Sequence, residues 1–135
     1  MVAMVGLGEA ELAEAVSRTE EKVRRRADLF RAGLGELDVA ARTAILVDDG
    51  LASGFTMFVA AEAVRLLGPA SVCVAVPTAS ARTVEQTLAN VDRLWCANIR
   101  TGPRFAVADA YRRWRDLDED EAVERFRRAR SDPAG

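Results

Sequence analysis

The sequence predicts an α/β fold of three layers, a parallel sheet with helices packed on its faces, and three observations carry that prediction. Apolar runs at 42–48, 71–76 and 93–97 alternate with helix-patterned segments at 55–67 and 81–89, the alternation expected of strand-helix-strand units. The first two runs are continuously apolar at their centres, as in strands buried on both sides of a parallel sheet. Punctuation falls where crossovers need it, with Gly68-Pro69 closing one helix and Ser80 opening the next. The first crossover is expected to be right-handed.

Taken in order, residues 9–30 carry Leu12, Val16, Val23 and Leu29 at near-helical spacing among Ala, Glu and Arg, which predicts one long amphipathic helix. Its charges suggest i,i+4 pairs such as Glu20 with Arg24 and Glu21 with Arg25. An arginine from this stretch is also a candidate for an anionic ligand. Gly33 and Gly35 break the helix. The strand 42–48 leads into the helix 55–67, and the strand 71–76 ends at Pro77, which has no N–H for a ladder. Ser80 caps the helix 81–89, and 93–97 forms the third strand. Segments 77–80 and 97–104 are expected to overhang the end of the sheet. Residues 105–114 mix Phe105, Val107, Tyr111 and Trp114 with arginines, and predict an amphipathic segment folding back over the sheet. Asp118 with Glu121 has capping-box character and starts a last helix to 130, with Val123, Phe126 and Ala129 inward. The tail 131–135 is expected to fray.

At 135 residues the chain fits a single domain, 1–135, with a helical lead-in at 9–32 and the sheet and its helices at 42–130. A chain of this size buries roughly two-thirds of its unfolded surface and needs no staples. A formal net charge of −2 argues against nucleic acid as the main partner. Cys73 and Cys96 lie in apolar runs, where free cysteine acts as a small hydrophobe, which suits a reducing cytoplasm. With two cysteines and no histidine, a zinc site, a Cys/His dyad and a Ser/His/Asp triad all lack parts. Residues 1–8 lack a basic flank and do not read as a signal peptide, and no run has membrane-spanning length.

Chemistry concentrates where the first strand ends. Ala44 to Val47 run into Asp48, Asp49, Gly50, Leu51, Ala52, Ser53, Gly54, Phe55 and Thr56. In open α/β sheets ligands bind at the carboxyl ends of strands. Ser53, Gly54 and Thr56 combine close backbone approach with two hydroxyls at a helix start, where free N–H groups and the helix dipole favour phosphate. Two carboxylates just before such a cradle would repel a phosphate unless they bind something else, such as sugar hydroxyls or hydrated Mg²⁺. The ligand this points to is a sugar phosphate.

The stretch Val47-Asp48-Asp49-Gly50-Leu51-Ala52-Ser53-Gly54-Phe55-Thr56 resembles the phosphoribosyl-pyrophosphate motif of type I phosphoribosyltransferases. The segments Val72 to Pro77, Val91 to Cys96, Phe105 to Val107 with Tyr111, and Asp118 to Glu121 look like the C-terminal half of a bacterial and archaeal group of such proteins, as does the basic stretch from Glu20 to Arg31. The resemblance implies a phosphoribosyltransferase-like, Rossmann-like fold that is N-terminally incomplete. It implies transfer of phosphoribosyl to or from a nucleobase, with phosphoribosyl pyrophosphate or a nucleotide as ligand.

On that resemblance Asp48 and Asp49 are the catalytic carboxylates, binding the ribose hydroxyls and orienting Mg²⁺ through water. Gly50, Ala52, Ser53, Gly54, Phe55 and Thr56 complete the binding site, with 52–56 on the 5′-phosphate. Ala52 stands where 6-oxopurine salvage enzymes of the family carry an aspartate, which disfavours that subfamily; Ser53 keeps the hydroxyl of the commoner threonine. The family's pyrophosphate loop and mobile basic loop have no counterpart here. The motif strand is normally central, so one of its edges is expected to be unpaired and open to a second copy or a complementing chain. A non-catalytic binding or partner-completing module is the alternative.

Two other readings of an apolar strand ending in Asp-Asp fail on the residues. A receiver domain needs a lysine beyond the pair, whereas Lys22 is the sole lysine and precedes it. A P-loop needs Gly-Lys-Ser/Thr, which Ser53-Gly54-Phe55-Thr56 lacks.

Overall fold

The computed structural model describes residues 8–35, 37–102 and 104–131. The expectations for 1–7 and for the tail beyond 131 lie outside the described residues. In chain order the elements are α1 (Glu9–Arg31), β1 (Thr43–Val47), α2 (Phe55–Arg65), β2 (Ser71–Ser80), α3 (Ala81–Leu88), β3 (Arg93–Arg100), a 3₁₀ turn at Val107–Ala110 and α4 (Glu119–Ser131). The chain is α/β, and the described residues form three parallel strands in one sheet, order β1-β2-β3, and four helices. It divides into two compact units, one of Met1–Glu36 with Asp116–Gly135 and one of Leu37–Arg115.

In the second unit β2 is the middle strand. Ala44 and Leu46 of β1 pair with Val72 and Val74, and Leu94 and Cys96 of β3 pair with Val74 and Val76. On one face Val72, Val74 and Val76 are buried against Met57 and Ala61 of α2 and Val84 of α3. Burying such a side chain contributes roughly 1.5–3 kcal/mol of transfer free energy, so this cluster fixes where both helices sit. Ser80 caps α3 as expected, its Oγ accepting the Thr83 N–H at 3.1 Å. On the opposite face Ile45 and Val47 of β1 and Trp95 of β3 are exposed, while Cys73 of the middle strand is buried. Among the described residues β1 pairs with β2 alone.

Two strands are longer than the sequence suggests. β2 continues past Pro77 to Ser80, and β3 continues to Arg100, so 77–80 and 97–100 extend the sheet instead of overhanging it. Pro77 costs one pair: the β2–β3 ladder passes from Val76↔Cys96 to Thr78↔Asn98. Burial of Thr78 and Ala79 on the far side of the proline holds the strand together.

In the first unit, of the apolar stripe expected on α1, Leu12, Val16 and Val23 are exposed and Leu29 is half-buried, and α1 has no buried residue. Arg25 turns away from the expected Glu21 pair and, with Arg26, bonds Glu119 of α4. The Asp118 carboxylate caps α4 by accepting the Glu121 N–H at 2.8 Å. Of the three residues expected inward on α4, Val123 is buried, Phe126 is half-exposed with its ring edge-on to Phe30, and Ala129 is exposed.

Candidate functional site

The turn after β1 arises because the chain leaves the sheet for three residues and then returns to it. Val47 pairs with Ala75, residues 48–50 swing out, and Leu51 rejoins β2 opposite Ala79. The return is held by the Leu51 N–H on the Thr78 carbonyl at 3.0 Å and the Ser80 N–H on the Leu51 carbonyl at 3.4 Å. Both pairings keep the same register, so the excursion is a kink in one continuing strand. It carries Asp48 and Asp49 at the carboxyl end of β1, with Asp48 half-buried and Asp49 exposed.

Gly50 makes the kink possible. A Cβ there would lie 2.7 Å from Cγ1 of Val107 and 2.9 Å from Cγ2 of Thr78, closer than carbon atoms approach without displacement. Asp48 Oδ1 accepts the Asp49 N–H at 2.9 Å. On the other side Tyr111 Oη donates to the Asp49 carbonyl at 2.6 Å. Partial burial, followed by the negative charges of Asp49 and Asp48, pushes the Tyr111 phenol above its ordinary value of 10.0. The phenol therefore stays protonated, and a donor, throughout the neutral range.

The next turn, 52–54, opens α2. Gly54 has φ +76°, and a Cβ on it would meet the Thr83 methyl at 2.9 Å, so both backbone and space select glycine. Thr83, buried on α3, donates its hydroxyl to the Ala52 carbonyl at 2.7 Å and shares a 2.8 Å hydroxyl contact with Ser80. Tying that carbonyl back leaves the opposite face of the turn for an incoming group. Ser53 and Ala52 are exposed there, as are Phe55 and Thr56 of the first turn of α2. Ser53 Oγ lies 3.5 Å from the Phe55 N–H, a weak cap. The first N–H groups of α2 have no intrahelical acceptor, since the first such bond runs from Phe58 to Gly54. A cavity of about 430 Å³ reaches Ser53 and Gly54 from between α2 and α3, lined also by Phe58 and Gln86, and it includes neither aspartate.

The residues singled out by sequence thus form one contiguous ledge: Asp48, Asp49 and Gly50 at the strand end, then Ala52, Ser53 and Gly54 in the turn, then Phe55 and Thr56 on α2. The braces behind that ledge are Thr78, Thr83, Val107 and the Tyr111 hydroxyl. The sequence places Val107 and Tyr111 in a segment folding back over the sheet, but not their contacts with the turn; Thr78 and Thr83 were missed, and the local signal for Thr83 was the Ser80 cap that sets the start of α3. Among the described residues no cluster of three or more His, Cys, Asp or Glu could hold a metal ion, and no helix is long and apolar enough to cross a membrane.

No protein-family model matches the chain. Two curated relatives, from the CDC 1551 / Oshkosh and H37Rv strains of Mycobacterium tuberculosis, are 32% identical to it over 125 residues, and both bear the name "Putative phosphoribosyl transferase". The match covers 92% of this chain and 28% of each relative, so the chain spans little more than a quarter of their length. Among solved structures, that of the protein TT1426 from Thermus thermophilus superposes with a TM-score of 0.72 at 28% identity, covering 89% of this chain and 56% of that one. The fold is α/β with a solved structural neighbour, and the curated relatives that the chain resembles over 92% of its length carry a phosphoribosyl transferase name.

Proposed function

We propose that this chain is a type I phosphoribosyltransferase domain that binds phosphoribosyl pyrophosphate or a nucleotide on the ledge from Asp48 to Thr56. The observation that carries the reading is the placement of two carboxylates at the end of β1, directly before a braced turn and the N-terminus of α2. The turn and the free amides of α2 suit the 5′-phosphate. Asp48 and Asp49 suit the ribose hydroxyls, as paired acceptors.

In the reaction a nucleobase nitrogen forms a bond to ribose C1 as the bond from C1 to pyrophosphate breaks, and the nitrogen gives up its proton. Positive charge develops on the sugar, and the carboxylates stabilise it electrostatically. Two aspartates are too few for a metal site made by protein alone. They fit Mg²⁺, which keeps several waters and takes one or two carboxylates together with ligand phosphate oxygens. Bound there, Mg²⁺ would neutralise charge on the departing pyrophosphate.

One observation favours a second reading, a binding module completed by another chain. Among the described residues β1 pairs on one side only, and Ile45 and Val47 beside that edge are exposed. An apolar unpaired edge is an association site, for a second copy or for a complementing polypeptide. The cytoplasm is the compartment proposed for either form, since Cys73 and Cys96 are free.

The test is calorimetric titration of phosphoribosyl pyrophosphate with Mg²⁺ into wild type and into the Asp48→Asn, Asp49→Asn double variant, alongside a pyrophosphate-release assay. Binding by wild type and loss of at least about 100-fold in the folded double variant is expected from removal of two charge-assisted contacts. Equal affinity sinks the reading, and binding without turnover selects the second form.

A further inference from the structure

The carboxylate turn is held by very little of the sheet. Residues 48–50 lie between the Val47↔Ala75 and Leu51↔Ala79 pairings, outside the β1–β2 register. The Asp49 N–H goes to the neighbouring Asp48 carboxylate, a local contact that moves with the turn. The Asp49 carbonyl goes to Tyr111, 62 residues away. The Tyr111 hydrogen bond is a long-range tie on the backbone of Asp49.

Tyr111 is itself placed by the chain around it. The segment that carries it crosses the turn with Val107 packed on the open face of Gly50. Arg100 donates to the Asp109 carbonyl at 3.2 Å, which anchors the segment to the end of β3. The Tyr111 ring meets Trp114 edge-on, with centroids 5.1 Å apart. The ring has its own support in Trp114, and the hydroxyl reaches the Asp49 carbonyl beside the Val107 contact on Gly50.

We propose that Tyr111 is a positioning residue for the carboxylate pair, fixing the Asp49 peptide so that the two carboxylates meet the ribose hydroxyls together. The proposal rests on the phosphoribosyl reading of the ledge. Asp49 is exposed, so water replaces the lost bond when the hydroxyl is removed, and the fold does not depend on it. What is lost is the fixed orientation of Asp49, and misplacement by about an ångström is enough to weaken binding and catalysis strongly.

The experiment is Tyr111→Phe, which keeps the ring and its Trp114 contact. Its affinity for phosphoribosyl pyrophosphate with Mg²⁺ is expected to fall about tenfold with an unchanged melting temperature. In an Asp49→Asn background the same change is expected to cost less than about twofold, because the hydroxyl acts through that carboxylate. Amide hydrogen exchange at Asp49 and Gly50, measured without ligand, is expected to quicken in Tyr111→Phe. Unchanged affinity, or a tenfold loss that persists in Asp49→Asn, overturns the positioning role. A wild-type chain that binds no sugar phosphate removes the phosphoribosyl reading, and the role for ligand with it; unchanged exchange at Asp49 and Gly50 refutes the tie itself in any case.

Discussion

Around residues 48–54 side chains meet at the limit of close packing: Val107 and Thr78 fill the space a Gly50 Cβ would take, and the Thr83 methyl fills that of Gly54. In the α1 and α4 pair the contacts are of another kind. Glu119 holds Arg25 at 2.7 Å and Arg26 at 3.0 Å, both arginines exposed, and Phe30 meets Phe126 edge-on. Steric contact is short-ranged and indifferent to salt, whereas exposed ion pairs are screened within about 8–10 Å at ordinary ionic strength. The ledge proposed to hold the sugar phosphate uses the first kind. The helix pair, whose α1 buries no residue, joins exposed ion pairs to the ring contact of Phe30 with Phe126.

The sharpest way to break this contrast is Gly50→Ala. A Cβ must displace Val107 and the buried Thr78, both branched close to their backbones, and overpacking of this kind costs about 1–3 kcal/mol. Chemical denaturation of the variant should show that loss, together with weakened sugar-phosphate binding. A variant as stable as wild type would mean that the kink yields easily.

A smaller effect is expected at Thr83, where two substitutions separate hydroxyl from methyl. Thr83→Val keeps the shape against Gly54 and leaves the Ala52 carbonyl without its donor, a cost of about 1 kcal/mol or a little more. Affinity for ribose 5-phosphate should fall about fivefold on that basis. Thr83→Ser restores the donor and should recover most of it, as titration of the two variants side by side would show. Equal losses in both would assign the brace to packing alone.

The smallest effect belongs to the helix pair. Hydrogen bonds from Arg25 and Arg26 are the main cause that holds the Glu119 carboxyl below its ordinary value of 4.5. A lowered folded-state value means that the stabilisation is fully present above the unfolded value and is lost as pH falls through the folded one. Helicity followed by circular dichroism should therefore decline slightly more in wild type than in Glu119→Gln as the solution is taken from neutral to below pH 4. Salt at about 1 M should erase the difference near neutral pH. A difference that survives salt would mean that the pair is held by packing.

Much of the fold was legible because its signals are local. Apolar runs located all three strands, and the Ser80 and Asp118 caps located the starts of α3 and α4. Pro77 misled, since a proline reads as a strand end, yet the cost of one ladder position is outweighed by burial of Thr78 and Ala79 beyond it. The α1 stripe misled in the opposite sense: spacing showed that Leu12, Val16 and Val23 share a face, but spacing carries no information on whether anything covers it.

The candidate ledge was legible for the same reason as the strands. Asp48 to Thr56 are contiguous, and their chemistry follows from residue type and order. Its braces were not legible, because Thr83 reaches Ala52 across 31 residues and Tyr111 reaches Asp49 across 62. By itself the sequence determined the parallel α/β pattern, the two carboxylates at a strand end and the small-residue turn behind them. Tertiary structure decided that the strand resumes after the carboxylates and which distant side chains hold the turn, whereas the open edge of β1 was already expected from the family resemblance. The physical reason is that propensity and periodicity act over a few residues, while close packing and hydrogen bonding depend on what the folded chain brings alongside.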